Sequence, residues 1–177
     1  EAAIEAMEYM RGEVRKAGFP DMHYMMMDGG GFPFNERNKA SVDNRMFLKP
    51  DSWALYNMGG FDPDYMRHGQ NAIDYRNGWD SYMDIPVFPT VSIGWDDTPR
   101  FPAKGENDVT RFNHSPEAFK NFLKEAKRYA DEHPEQPKFV MINAWNEWVE
   151  GSYLLPDRYW GYGWLEAVKE VFGPVEE

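Results

Sequence analysis

Apolar residues recur at helical spacing over residues 1–17, where Ile4, Met7, Met10 and Val14 fall near one face and Gly18 with Pro20 ends the run. "MHYMMM", residues 22–27, reads as a short buried strand, followed by Asp28, three glycines and a long polar loop to about Pro50. "WALYNM", 53–58, is a second strand closed by Gly59–Gly60. Asp62 and Pro63 then open a helix over roughly 63–83, with Tyr65, Met66, Ile73, Trp79 and Tyr82 as apolar anchors. "IPVFPTVSI", 85–93, is a third strand despite two prolines. A loop follows, and then Ser115–Pro116 starts a helix carrying Phe119, Phe122, Leu123, Ala126 and Ala130. "KFVMINAW", 138–145, is the fourth strand, and residues 161–172 form the last helix.

Strands alternating with helices imply a parallel sheet covered by helices. The long polar loops follow the strands, as they do at the active-site end of a β/α barrel. A full (β/α)₈ barrel takes about 250 residues. The expectation is an α/β fold in which residues 1–177 form a single domain, the C-terminal half of a TIM-type barrel with four parallel strands. Residue 1 already lies in a helical pattern, so an upstream part of the protein is expected, and any targeting signal would lie there.

Composition narrows the function. A net charge of −11 argues against nucleic acid and anionic membrane surfaces as partners. No apolar run approaches the roughly 20 residues of a membrane helix, so no membrane insertion is expected. With no cysteine, disulfides and thiolate metal sites are excluded. Aromatic residues make up 16% of the chain, including 7 Trp, which suits sugar stacking and equally suits a large aromatic core.

The candidate chemistry gathers at Glu147 and Glu150, just past the end of the fourth strand and flanked by Trp145, Asn146 and Trp148, with Trp160 nearby. A spacing of three in a turn brings both carboxylates to one side. Two close carboxylates do not ionise independently, and such a pair can divide acid and base roles, as in glycoside hydrolysis. The same residues would also suit a solvated helix start. In "GWDDTPR", Trp95 and one of Asp96 and Asp97 could face a sugar, with Arg100 pairing the other aspartate; turn chemistry explains the stretch as well. Asp28 is a weaker candidate of the same kind. His23, His68, His114 and His133 show no metal spacing, and neither a phosphate loop nor a nucleophile elbow is present. No metal and no cofactor are expected.

"INAWNEWVEGSYLLPD" and the following "WGYGWLEAV" resemble the WbsX-like proteins, a group similar to glycoside hydrolase family 99, and "PVFPTVSIGWDDTPR" and "SPEAFKNFLKEA" fit the same group. The resemblance is strong over about 85–172. It implies a (β/α)₈ barrel and an endo-acting, retaining cleavage of α-mannosidic linkages. Carried over, Glu147 would deprotonate the sugar 2-hydroxyl and give an anhydro-sugar intermediate. Glu150 would serve as acid and then base at the glycosidic oxygen. Val149 stands where the hydrolases often carry histidine, and Leu155 where many relatives carry an acid.

Three functions follow as expectations. The first is a glycoside hydrolase acting on a mannan-like polysaccharide or oligosaccharide. The second is a glycosyltransferase of surface-polysaccharide assembly. The third is a non-catalytic carbohydrate-binding half-barrel. An extracytoplasmic location is expected. So is a partner for the open sheet edges, either the missing N-terminal half or a second copy of the chain.

Overall fold

In a computed structural model the chain is a mixed α/β protein with parallel sheets and five helices among the described residues, which are 2–29, 34–56, 62–102 and 109–174. The chain order is α1 (Ala2–Lys16), β1 (Met25–Asp28), α2 (Glu36–Met46), β2 (Ser52–Leu55), α3 (Tyr65–Asp80), β3 (Val87–Phe88), β4 (Thr90–Ser92), α4 (Pro116–Glu132), β5 (Met141–Asn143), β6 (Asn146–Glu147), β7 (Ser152–Tyr153) and α5 (Gly163–Phe172). None of these helices is long and apolar enough to cross a membrane.

β1, β2 and β3 pair in parallel in that order, and β4 pairs in parallel with β5. The third expected strand is therefore two. Pro89 has no amide hydrogen to give a ladder, and the run 87–92 changes partner there. Its first half lies on β2 and its second on β5, with Met141 N donating to Pro89 O at 2.9 Å. The Thr90 hydroxyl still reaches back to Leu55 O at 2.7 Å.

The region expected as a polar loop up to Pro50 contains α2. Its N-cap Asn35 accepts from Asn38 N, and Glu36 sits in the first turn. Only Val42 is fully buried on this helix, so no apolar stripe betrays it in the sequence. The other helices start close to where expected: Asp64 caps α3, and Ser115 caps α4 with Pro116 in its first turn. In α3, Tyr65 and Trp79 are fully buried as anchors, whereas Met66 and Tyr82 are exposed; Tyr75, His68 and Arg76 take the buried places instead. Gly59 and Gly60 lie outside the described residues.

Two apolar clusters fill the helix side of the sheets. One gathers Val42, Trp53, Leu55, Tyr75, Trp79 and Val87. The other gathers Tyr65, Val91, Ile93, Phe119, Leu123 and Trp164, with Val140 and Ile142 against it. Strand side chains alternate between faces. Because Trp53, Leu55, Val91, Ile93 and Ile142 turn to the helices, Tyr56, Ser92 and Asn143 turn the other way.

Arg76 ties α3 to α4: its two terminal nitrogens donate to the two carboxylate oxygens of Glu125 at 3.0 and 2.9 Å, and its guanidinium lies 3.9 Å from the Tyr129 ring centroid. His68 is buried beside Tyr65, its Nδ1 donating to the Asp62 carbonyl at 3.2 Å. Burial pushes the His68 imidazole down to about 4, although the Asp62 carbonyl and carboxylate oppose the shift. The unfolded chain takes up this proton near the ordinary value of about 6.5, whereas the folded chain holds His68 neutral until about 4. This contribution to stability is therefore complete above that upper value and is lost as pH falls across the window, by about 3 kcal/mol in all. Urea unfolding at a series of pH values should show the loss, and His68→Gln should flatten the slope between those limits.

Candidate active site

The site is built at the end of β5. Ile93 N donates to Asn143 O at 2.9 Å, closing the β4–β5 ladder. The Asn143–Ala144 peptide is cis. The chain then makes a short hairpin in which β6 pairs antiparallel with β7, Asn146 opposite Tyr153 and Glu147 opposite Ser152. Between them Trp148–Glu150 form one 3-10 turn. Glu147 ends β6 just before this turn, and Glu150 is the turn's last residue.

Three contacts hold this hairpin to the sheet. Ser152 Oγ lies 2.9 and 2.7 Å from the two oxygens of buried Asn143 and shares its one proton between them. Leu154 N donates to the carbonyls of Ala144 and Trp145. Asp96 N donates to Glu150 O at 2.7 Å, joining the loop after β4 to the turn. Gly151 closes the turn at φ +60, and a Cβ there would stand 2.8 Å from Asp96 Cβ and 3.0 Å from Asp96 N. Both the backbone angle and the close approach require glycine.

Glu150 is buried. Its Oε1 accepts from Arg100 Nη1 at 2.8 Å, and its enclosed Oε2 has no hydrogen-bond partner among the described residues. A carboxylate oxygen without a donor is costly in a protein interior, so this half of the group awaits one. Glu147 is half-buried. Both carboxylates bear on the Tyr56 hydroxyl at the end of β2. Burial pushes this phenol up, Glu150 and Glu147 add to the shift, and Asn143 and Arg100 oppose it. Tyr56, Asn143, Glu147, Glu150 and Arg100 thus form one electrostatic cluster on the face of the sheet opposite the helices.

The residues singled out in the sequence are distributed unevenly. Trp148 stacks on Tyr153 with ring centroids 4.0 Å apart, and it remains 46% exposed; Trp145 is 57% exposed. These indoles offer open faces rather than enclosing walls. Asn146 is exposed on β6. Trp160 belongs to the core instead, edge-on to Trp164 at 6.1 Å, where the Asp157 carboxylate fixes the loop through Trp160 N. Trp95 has its backbone paired to Thr110 on both sides. Asp96 Oδ1 accepts from Thr98 N and Oγ1, as turn chemistry requires. Asp97 is buried, and its carbonyl receives Arg100 N and Phe101 N. Arg100, expected to pair with an aspartate of its own loop, pairs with Glu150 across to the hairpin.

Asp28 is corrected by the pleat. It is the last residue of β1 rather than a loop residue, and like Met26 it turns to the helix layer. There it is fully buried, accepting from Tyr75 Oη at 2.7 Å and Arg45 Nη1 at 2.9 Å. It braces α2 and α3 against β1 and does not face the cluster. His114 is also locked away, its Nε2 on Ile93 O and its ring stacked on Trp164. Tyr56 was missed among the candidates. The one sequence signal for it is its place: the last aromatic of an apolar strand before a glycine pair.

Comparison with known proteins shows the fold and the family. The chain superposes over 98% of its length on a solved "glycoside hydrolase-like protein", with a TM-score of 0.68 and 15% identity, and it spans 50% of that chain. At that identity the likeness is one of fold. The family model "Glycosyltransferase WbsX" matches residues 1–168, and the chain belongs to this family. It is also 36% identical over 89 residues to the uncharacterized protein WxcX of Xanthomonas campestris pv. campestris, in strains B100 and ATCC 33913 alike. That match takes in 50% of this chain and 12% of WxcX.

Gly151→Ala should strain the turn and push it off Asp96, costing about 1–3 kcal/mol. Thermal unfolding would measure the loss, and the stability of Gly12→Ala, where an added Cβ meets nothing, is the comparison.

Proposed function

We propose that the protein is a carbohydrate-active enzyme, and that it acts as a retaining glycoside hydrolase on α-linked, mannan-like polysaccharide. The observation that carries this reading is buried Glu150, held by Arg100 through one oxygen, on the same short hairpin as Glu147 and the exposed Trp145 and Trp148. A carbohydrate-binding module would have use for the indoles, but none for a buried carboxylate with an unmatched oxygen.

In the proposed reaction Glu147 takes the proton of the sugar 2-hydroxyl, and that oxygen attacks the anomeric carbon. The glycosidic carbon–oxygen bond breaks as Glu150 gives a proton to the departing oxygen. Water then gives a proton to Glu150 and attacks the anomeric carbon. The three-membered ring opens, and the 2-oxygen recovers its proton from Glu147. Two displacements at one carbon give net retention. Trp148 and Trp145 stack the sugar faces.

The family's name favours a second reading, glycosyl transfer. Reducing-end release from a panel of α-linked polysaccharides separates the two. Under the hydrolase reading Glu150→Gln lowers kcat by about 10²–10⁴ while leaving binding nearly intact. Absence of release by the parent protein, together with sugar-nucleotide binding, would establish transfer instead.

The chain is further proposed to supply one half of a (β/α)₈ barrel. Among the described residues the outer edges of β1 and β5 have no strand beside them, and α1 has no fully buried residue. At the β5 edge Phe139, Val140, Ile142 and Phe172 line an open pocket of about 420 Å³. The solved structure of like fold is twice as long as the matched part. Unpaired edges of this kind invite another sheet. Light scattering of the isolated chain should therefore show association with itself or with a separately supplied N-terminal half. A well-folded monomer would overturn this association.

A further inference from the structure

We infer that Arg100 is the specificity residue of this site and that the carbohydrate it takes carries an anionic group, a carboxylate or a phosphoryl oxygen, bound by the Arg100 guanidinium. The inference rests on the reading of the cluster as a carbohydrate site.

The chain contains an internal comparison. Arg76 is a structural arginine: its side chain is 5% exposed, it engages Glu125 with two nitrogens, and it bonds Asn77 and covers Tyr129 as well. Arg100 is arranged differently. Its side chain is 44% exposed, and a single nitrogen, Nη1, donates to Glu150. Nη2 and Nε have no hydrogen-bond partner among the described residues. Its ring contact, with Phe101, is distant at 6.0 Å. A guanidinium presents its donors as a planar fork matched to carboxylate and phosphate oxygens. One prong here is fixed by Glu150, and the other donors of this half-exposed side chain have no hydrogen-bond partner among the described residues.

The position is constrained at both ends. Arg100 N donates to Asp97 O at 3.0 Å, and Glu150 O receives Asp96 N, so the loop carrying Arg100 and the turn carrying Glu150 move together. The guanidinium is thereby kept on Glu150 and within the electrostatic reach of Tyr56. Although the surroundings are negative, an anionic group that reaches the remaining Arg100 donors gains a local, charge-assisted hydrogen bond that a neutral sugar does not.

Calorimetric titration of the full-length protein tests this with three probes: an oligosaccharide ending in glucuronic acid, its methyl ester, and the corresponding oligosaccharide ending in a sugar phosphate. The parent protein should bind the free acid or the phosphate at least about tenfold more tightly than the ester, the worth of a charge-assisted hydrogen bond. Whichever anion binds more tightly identifies the source of the charge. Arg100→Gln should bind all three with the affinity of the ester, and Arg100→Lys should keep part of the preference. Equal binding of acid, phosphate and ester by the parent protein overturns the inference and leaves the carbohydrate reading standing. So does a loss in Arg100→Gln that is the same for charged and neutral probes, which would make Arg100 only a brace for Glu150. Binding of none of the three by the parent protein overturns the inference, while reducing-end release from the α-linked panel decides the carbohydrate reading separately.

Discussion

A buried asparagine at the end of β5 carries the upper end of the structure. Asn143 receives Ile93 N on its carbonyl and Ser152 Oγ on its oxygens, and it faces Ser92 across the β4–β5 pair. Buried away from water, both oxygens of Asn143 are met by donors of the protein, and these bonds set the geometry of the junction. The hairpin of β6 and β7 hangs from this junction, and with it Glu147 and Glu150. The loop after β4 is drawn in through Asp96 N and Glu150 O, which brings Arg100 across. Two loops far apart in the chain therefore act as one piece.

The sheet divides its labour by faces. The helix side takes Trp53, Val91, Ile93 and the aromatic residues of α3, α4 and α5, and it supplies the apolar burial that stabilises the fold. The opposite face takes Tyr56, Ser92 and Asn143 and leads to the carboxylates. Pro89 permits this arrangement by ending one ladder and letting the same extended run begin another. Burial likewise separates two kinds of polar residue. Asp28, His68 and Arg76 are enclosed by the core and hold elements together, while Glu147, Arg100 and the two exposed indoles keep an open side.

Much of the architecture was legible where local chemistry and periodicity agree. Ser115 with Pro116, the spacing of Phe119, Leu123 and Ala126, and the apolar run into Asn143 place α4 and β5 close to their observed bounds. Elsewhere local signals were silent. α2 buries a single residue fully and shows no stripe. Trp160 looks like a neighbour of the glutamates in sequence, yet the loop fixed by Asp157 returns it to the core. Pro89 marks an interruption, but which partner each half of the strand takes is not a local matter.

By itself, the sequence determined the α/β alternation, the family, and the pair Glu147 and Glu150 with its tryptophan neighbours, because these rest on residue type at short spacing. Tertiary structure alone decided which polar residues meet. Tyr56 and Arg100 join the glutamates from about 90 and 50 positions away, a separation no periodicity spans. Asp28 is withdrawn from them by one step of the pleat, which sends its carboxylate into the helix layer. Side-chain chemistry is written in the chain; the direction in which it points is set by the packing of elements against one another.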